Sequence, residues 1–349
     1  MNNNSFFSTE ILRWFRENGR DLPWRETRDP YAIWLSEIIL QQTRIAQGWE
    51  YWERFMQTYP KVEDLAAASE DDVLKLWQGL GYYSRARNLH TAAKQIVALG
   101  AFPNTLEGIK SLKGVGDYTA AAIGSFAFDI PAAVVDGNVY RVLSRYFGID
   151  TPINSTQGKK EFAALAQSLL PASDVASYNQ GMMDFGAIQC TPQSPKCLLC
   201  PLAETCEALR CGRVEELPVK NKTVKVKTRH LSYIYIRCKS LAADDTGISE
   251  PMVAIHRRGE GDIWQGLWEP YNVSDVKELP SFVKNPILLA KDVKHVLTHR
   301  ILLADFYLLE TESRPPLPDD YIWIRESEIE DYGVPRLIEI MLEKINPAE

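Results

Sequence analysis

The stretch CTPQSPKCLLCPLAETC sets four cysteines, Cys190, Cys197, Cys200 and Cys206, at gaps of six, two and five residues, and constrains the fold more than any other part of the chain. Thiols this crowded either pair as disulfides or bind a soft metal, and the compartment decides between the two. The N-terminus MNNNSFFSTEILRWF has no basic start followed by an apolar run, so no secretory signal is expected. No apolar stretch approaches the length that spans a bilayer. The expectation is therefore a cytoplasmic protein whose clustered cysteines hold a metal. Four thiolates suit zinc or a cubane iron–sulfur cluster. Structural zinc more often uses two separated CxxC knuckles, whereas only Cys197 and Cys200 have that spacing here. Cys211 and Cys238 fall outside the pattern and read as ordinary free thiols.

The loop follows a body that reads as helical from Ser5 to about Leu209. ILRWFREN, YAIWLSEIILQQT, WEYWERFMQTY, EDDVLKLWQGL and RARNLHTAAKQIVALG repeat apolar residues at three- and four-residue spacing. Breaks such as NGRDLP, TYPKVED and GAFPN separate them, and Ser69–Asp72 and Thr105–Gly108 have the spacing of helix caps. After Arg213 the texture changes. ELPVKNKTVKVKTRH is polar and basic and reads as a linker. Runs that suit strands follow, LSYIYIRC, MVAIHRR, HVLTHRILLADFYLLE and YIWI, and then a closing helix PRLIEIMLEKI. A chain of 349 residues is too long for one ordinary core, and the expected division is 1–212 as a helical body, 213–229 as linker and 230–349 as a smaller α+β domain. Charge divides with it. Residues 1–229 carry 26 Lys and Arg against 25 Asp and Glu, and residues 230–349 carry 13 against 21. An acidic total argues against a purely electrostatic nucleic-acid binder, but not against a face that gathers cations and backbone amides.

LKGVGDYTAAAIG offers such amides. A helix ending near Leu112, a Gly114–Val115–Gly116 hairpin and a helix starting near Asp117 or Tyr118 would aim backbone N–H groups and a helix's positive end at a phosphate. Further on, IPAAVVDGNVYRVLSR places Asp136 after an apolar run and at the head of another helix, a natural cap and a carboxylate suited to a sugar cation. In YAIWLSEIILQQT, Glu37 shares a helix face with Trp34 and Gln41 and stands among Ile33, Ile38 and Leu40. A carboxyl group in apolar company has reason to keep its proton, as a general acid must.

The C-x6-C-x2-C-x5-C spacing resembles the [4Fe–4S] loop of the helix–hairpin–helix DNA glycosylases, the endonuclease III superfamily. The strings LPWR, WLSEIILQQT, GLGYYSRARNLH and DGNVYRVLSR, within roughly residues 8–218, resemble the adenine DNA glycosylase family, which removes adenine mispaired with 8-oxoguanine. The resemblance implies a multidomain chain: an all-α helix–hairpin–helix body (hairpin region about 105–127, iron–sulfur loop 190–206) and a C-terminal α+β Nudix-like domain. It implies Glu37 as general acid, Asp136 as stabiliser or captor of the sugar cation, and Tyr118 and Asn138 as residues that orient the sugar and Asp136. Strand-cutting members carry a nucleophilic lysine where Tyr118 stands, so a monofunctional enzyme is expected. Trp24, Arg25, Leu40 and Gln180 would line an adenine pocket, Gln42 and Tyr82 would wedge the duplex, and Gly114 and Gly116 would shape the phosphate hairpin. Leu297, Thr298 and His299 would meet the oxidised guanine. GLWEPYNVSDVKELP lacks the glutamate-rich Nudix helix, so pyrophosphatase activity is not expected. The implied partner is double-stranded DNA carrying A:8-oxoguanine or A:G mispairs, met by a monomer with no membrane association, in the cytoplasm at a bacterial nucleoid. Competing readings are a lyase glycosylase for oxidised pyrimidines, a thymine-mismatch enzyme, a non-catalytic damage-binding protein and a zinc-dependent regulator.

Overall fold

The structure, a computed structural model, describes residues 3–221, 226–239, 250–274 and 279–345. Residues 222–225 of the expected linker and 275–278 of the degenerate Nudix-box segment lie outside the described residues. In chain order the helices are α1 Asn3–Asn18, α2 Pro30–Ile39, α3 Ile45–Thr58, α4 Val62–Ala67, α5 Glu70–Leu76, α6 Ser84–Leu99, α7 Leu106–Lys110, α8 Asp117–Phe128, α9 Gly137–Phe147, α10 Thr156–Ser168, α11 Val175–Asp184, α12 Glu207–Arg210 and α13 Arg336–Ile345. The strands are β1 Lys227–Cys238, β2 Met252–Arg257, β3 Trp268–Glu269, β4 Tyr271–Asn272, β5 Ile287–Val296, β6 Arg300–Thr311 and β7 Tyr321–Arg325. No described helix is long and apolar enough to cross a membrane.

Two compact units form. One comprises Met1–Ala66 with Thr91–Lys222, the other Ala67–His90 with Thr223–Glu349. The first is helical. Asp29 caps α2 by accepting from the Tyr31 amide, Pro30 sits at the first helical position, and Tyr31 through Ile39 are all buried. A helix apolar on every side belongs in a core, and α2 packs there on α8, whose Thr119–Phe126 stretch is buried too. Glu37 is thus built into the most enclosed helix of the unit. Around α9 a second core gathers Phe7 and Ile11 of α1, Phe162 of α10, Met182 of α11 and Phe185. Each such side chain, fully buried, contributes about 1.5–3 kcal/mol of transfer free energy.

The second unit is a mixed sheet in the order β3-β2-β1-β6-β5, with β4 pairing β1 and β7 pairing β2. β1 and β6 run parallel from Lys227↔Arg300 to Cys238↔Thr311, and the other pairs are antiparallel. β1 is buried on both faces: Leu231, Tyr233 and Tyr235 meet Leu337, Ile338 and Met341 of α13, and Ile234 and Ile236 meet Tyr271 and Val273. That explains the nearly continuous apolar run LSYIYIRC. The sheet starts inside the stretch read as linker, because Lys227–Arg229 already pair with Arg300–Leu302. HVLTHRILLADFYLLE holds the end of β5, then Leu297–His299 as the loop expected to precede a strand, then most of β6.

Candidate active site

Glu37 is 7% exposed. It lines a cavity of about 50 Å³ together with Trp24, Arg25, Leu40 and Gln180, the four residues expected to surround a base, and with Ile33, Ser36 and Phe126. Burial pushes the Glu37 carboxyl up to about 7; the hydrogen bond from Tyr118 and the Arg25 charge pull it down, and the Asp136 charge pushes it further up. The Tyr118 hydroxyl donates to Glu37 Oε2 at 2.9 Å. Tyr118 therefore reaches the glutamate, where the expectation had it orienting the sugar and Asp136. Burial, followed by the Glu37 and Asp136 charges, raises the Tyr118 phenol well above its usual range, so it stays a donor.

Asp136 is the cap of α9. Its Oδ1 accepts from the backbone amides of Asn138 and Val139, both at 2.8 Å, and its Oδ2 accepts from Asn138 Nδ2 at 2.7 Å. Burial raises the Asp136 carboxyl, while those amides and the Arg141 charge oppose the rise. Asn138 is fixed in turn by Arg141, whose Nη2 donates to Asn138 Oδ1 at 2.8 Å and whose Nε donates to the Cys190 carbonyl at 2.8 Å. Gly186 fits against this cap so closely that a Cβ would stand 2.6 Å from Asn138 Cβ and 2.9 Å from the Asn138 carbonyl oxygen. Gly186→Ala is expected to displace Asn138, to cost about 1–3 kcal/mol of stability and to slow catalysis, checked by denaturant titration beside a rate assay.

The hairpin between α7 and α8 takes its turn at Gly114, with φ +79°, and Gly116 caps α8 in an extended conformation. Val115 is buried and anchors the turn. Within the hairpin the Val115 amide is otherwise engaged, donating to the Leu112 carbonyl at 3.1 Å, and just before it Lys113 N–H donates to Gln95 Oε1 at 2.8 Å.

Both expected wedge residues hold a left-handed backbone without being glycine, Gln42 at φ +58° and Tyr82 at φ +48°. Such conformations cost of order 1 kcal/mol each and concentrate at functional sites. Gln42 is exposed in the first unit. In the second unit, Tyr82 is half exposed and its hydroxyl hydrogen-bonds Thr298 Oγ1. Leu297, Thr298 and His299 form the β5–β6 turn, closed by Leu297 N–H donating to the Arg300 carbonyl at 2.8 Å. Together with Tyr82, Arg87, Trp264 and Arg300 they line a cavity of about 550 Å³. Sequence reasoning had these residues as separate duplex contacts; the structure joins Tyr82 to the Thr298 loop.

The four clustered cysteines are all half-buried, unpaired and on the wall of one small cavity beside Arg145. No three acidic, histidine or cysteine side chains among the described residues close on a single ion. One tetrahedral zinc demands that closure; a cubane, with a separate iron for each sulfur, does not. Burial pushes the Cys200 thiol up to about 12, and the neighbouring sulfurs add to the rise, so bare thiolates would repel here and a cationic iron core would reconcile them. The buried Arg145 guanidinium donates to Cys190 Sγ at 3.4 Å and to the Thr191 and Pro192 carbonyls at 2.7 and 3.0 Å, a cation placed to offset excess thiolate charge.

Three families match successive parts of the chain. The family described as "HhH-GPD superfamily base excision DNA repair protein" matches residues 35–171, "Iron-sulfur binding domain of endonuclease III" matches 190–206, and "NUDIX domain" matches 248–344. The adenine DNA glycosylase of Buchnera aphidicola from Schizaphis graminum is 30% identical over 355 residues, which covers 97% of this chain and 98% of that one. The chain belongs to the adenine DNA glycosylase family. The mouse adenine DNA glycosylase is 43% identical over 226 residues, covering 61% of this chain but only 44% of its own length. Among solved structures, a thermostable thymine-DNA glycosylase is 34% identical with a TM-score of 0.56, over 60% of this chain and 97% of that one.

As a member of the adenine DNA glycosylase family the protein is a DNA glycosylase of base excision repair, with the expected helical body, iron–sulfur loop and Nudix-like domain. Its cofactor is a [4Fe–4S] cluster, which the loop from Cys190 to Cys206 is built to take. Cys190, Cys197, Cys200 and Cys206 would hold it; when bound it supplies a covalent cross-link that fixes the loop. Sequence reading missed Asp184 and Arg20. Asp184 has no exposed surface and binds Arg25 in a fork–fork pair, Nη1 to Oδ2 at 2.8 Å and Nη2 to Oδ1 at 2.9 Å. An acidic residue on a cavity-facing helix, in NQGMMDFG, was the available signal.

Proposed function

We propose that the protein hydrolyses the N-glycosidic bond of adenine mispaired with 8-oxoguanine, and of adenine in A:G mispairs, as a monofunctional enzyme acting on double-stranded DNA. It works as a monomer, away from membranes, in the cytoplasm at the nucleoid. The observation that carries the reading is a buried glutamate, held near neutrality in its proton affinity, on the wall of a cavity that Trp24, Arg25, Leu40 and Gln180 also line. That cavity is small, so an extruded base enters only as side chains part around it, with Gln42 and Tyr82 holding the opened duplex.

Adenine leaves deoxyribose poorly until a ring nitrogen is protonated. The Glu37 carboxyl donates its proton to N7, and the C1′–N9 bond breaks with its electron pair departing on adenine. Because Oε2 accepts from Tyr118, the transferable proton is left to Oε1. Positive charge spreads over C1′ and O4′ and meets Asp136. Three donated hydrogen bonds and Arg141 keep Asp136 the anionic member of the pair, as oxocarbenium stabilisation requires. Water then adds at C1′ and gives a proton to the Glu37 carboxylate, which restores the acid. Asn138 orients Asp136. Gly114 and Gly116 shape the hairpin for the DNA backbone, and Leu297, Thr298 and His299 read the exocyclic amine and the N7–H of the oxidised base, the N7–H being the donor that guanine lacks. The Nudix-like domain thus reads a base and cleaves no pyrophosphate.

A single-turnover excision assay on A:8-oxoguanine, A:G and A:C duplexes tests this. Excision is expected to be fastest on A:8-oxoguanine and slowest on A:C. Borohydride should trap no protein–DNA adduct, since the Tyr118 phenol cannot form an imine. Excision of thymine in place of adenine, or a trapped adduct, would sink the proposal.

A further inference from the structure

Asp184 closes α11 with no exposed surface, and nothing in the reaction just described uses it. Beyond the fork–fork pair to Arg25, its Oδ2 accepts from the Arg20 backbone amide at 2.9 Å and its Oδ1 from Arg20 Nε at 2.9 Å. Arg25 Nη1 is tied further to the Arg20 carbonyl at 3.0 Å. Both arginines line the Glu37 cavity, whereas Asp184 stands outside that lining. One buried carboxylate therefore anchors two cations on the wall that Glu37 shares. Burying Asp184 costs free energy, and the two arginines repay it: burial pushes its carboxyl up, but the hydrogen bonds from Arg25 and Arg20 outweigh that and hold it below the usual value.

We infer that Asp184 is a positioning residue for proton donation: it draws the Arg25 guanidinium back and offsets its charge, so that Glu37 keeps the proton it must give. The inference rests on the reading of Glu37 as the acid. The charged and titratable groups that act on Glu37 are Tyr118 from α8, Asp136 at the head of α9 and Arg25 from the turn before α2. Asp136 favours the protonated acid and Tyr118 opposes it through a neutral hydrogen bond. Arg25 is the one cation among them. Released from its carboxylate, that cation would stabilise ionised Glu37, as an opposite charge within a few ångströms does.

The test is the pH–rate profile of single-turnover excision on an A:8-oxoguanine duplex, with full-length protein. In Asp184→Asn the limb on which activity falls with rising pH should move down by about one pH unit, which slows excision at pH 7 roughly fivefold and leaves the rate on the acid plateau unchanged. Adding Arg25→Gln to Asp184→Asn should return the limb to its wild-type position or above, whatever it does to the plateau. A merely structural role for Asp184 predicts a lower plateau with an unmoved limb, and that result overturns the inference. Should Asp184→Asn fail to fold, Arg25→Gln alone must move the limb upward, and an unmoved limb there also overturns it. Failure of the underlying reading looks different: the wild type would show no limb near neutrality and Glu37→Gln would keep its rate.

Discussion

Glu37→Gln is expected to slow single-turnover excision of adenine by about a thousandfold while leaving duplex affinity within a few-fold of wild type, the loss that removal of a general acid produces. The amide is nearly isosteric and can still accept from Tyr118, so the cavity should survive. The same variant should be more stable than wild type above neutrality. Burial first, reinforced by the Asp136 charge and opposed by Tyr118 and Arg25, raises the Glu37 carboxyl from 4.5 to about 7. Its protonated form stabilises the fold fully below pH 4.5, and that contribution is lost as pH rises through about 7. At pH 8 the native chain carries a buried anion that glutamine does not. Denaturant titration should find Glu37→Gln more stable by roughly 2–4 kcal/mol at pH 8, shrinking towards zero at pH 4. A variant with near-normal excision, or one no more stable at pH 8, would refute the role given to the glutamate.

Asp136→Asn should be as inactive as Glu37→Gln but, unlike it, slightly less stable than wild type. Asparagine caps a helix as well as aspartate, so the bonds from the Asn138 and Val139 amides persist. The bond from Asn138 Nδ2 to Oδ2 does not, because an amide nitrogen would then face an amide nitrogen, and Arg141 already holds the Asn138 oxygen. Loss of one hydrogen bond costs about 1 kcal/mol. Loss of the negative charge where the sugar cation develops costs about a thousandfold in rate. Stability within about 1 kcal/mol combined with that rate loss separates catalysis from capping. A slow Asp136→Asn that is also badly unfolded would instead leave Asp136 as a cap.

What the sequence disclosed follows from what is local. The helices of the first unit, the caps at Ser69, Thr105 and Asp136, and the cysteine loop are written in neighbouring residues, and the structure holds them where their spacing predicts. Glu37 was legible because an apolar helix surrounds it. The bond from Tyr118 was not, since the two residues lie 81 positions apart and only the packing of α2 on α8 joins them. Asp184 was hidden for the same reason, its partners in Arg20 and Arg25 being more than 150 residues away. β5 escaped because two register irregularities, between Leu288 and Ala290 and between Ala290 and Val293, break the alternation that marks a strand. β3 and β4, two residues each, carry no period at all. Gln42 and Tyr82 gave no sign of their backbone strain, which neither glutamine nor tyrosine advertises.

The second unit draws on two separated lengths of chain, Ala67–His90 and Thr223–Glu349. Val73, Leu74 and Trp77 are buried, and Leu74 presses on Gly266 within that unit. During synthesis, then, α5 and its apolar side chains leave the ribosome long before the Gly266 segment that Leu74 meets exists. That interval is an opportunity for chaperones and for misassembly, because closing so distant a contact is slow and the waiting surface is sticky. It also means that a gene cut near residue 222 divides the unit and strands those side chains in water, so the Nudix-like unit cannot be transplanted as a single uninterrupted cassette.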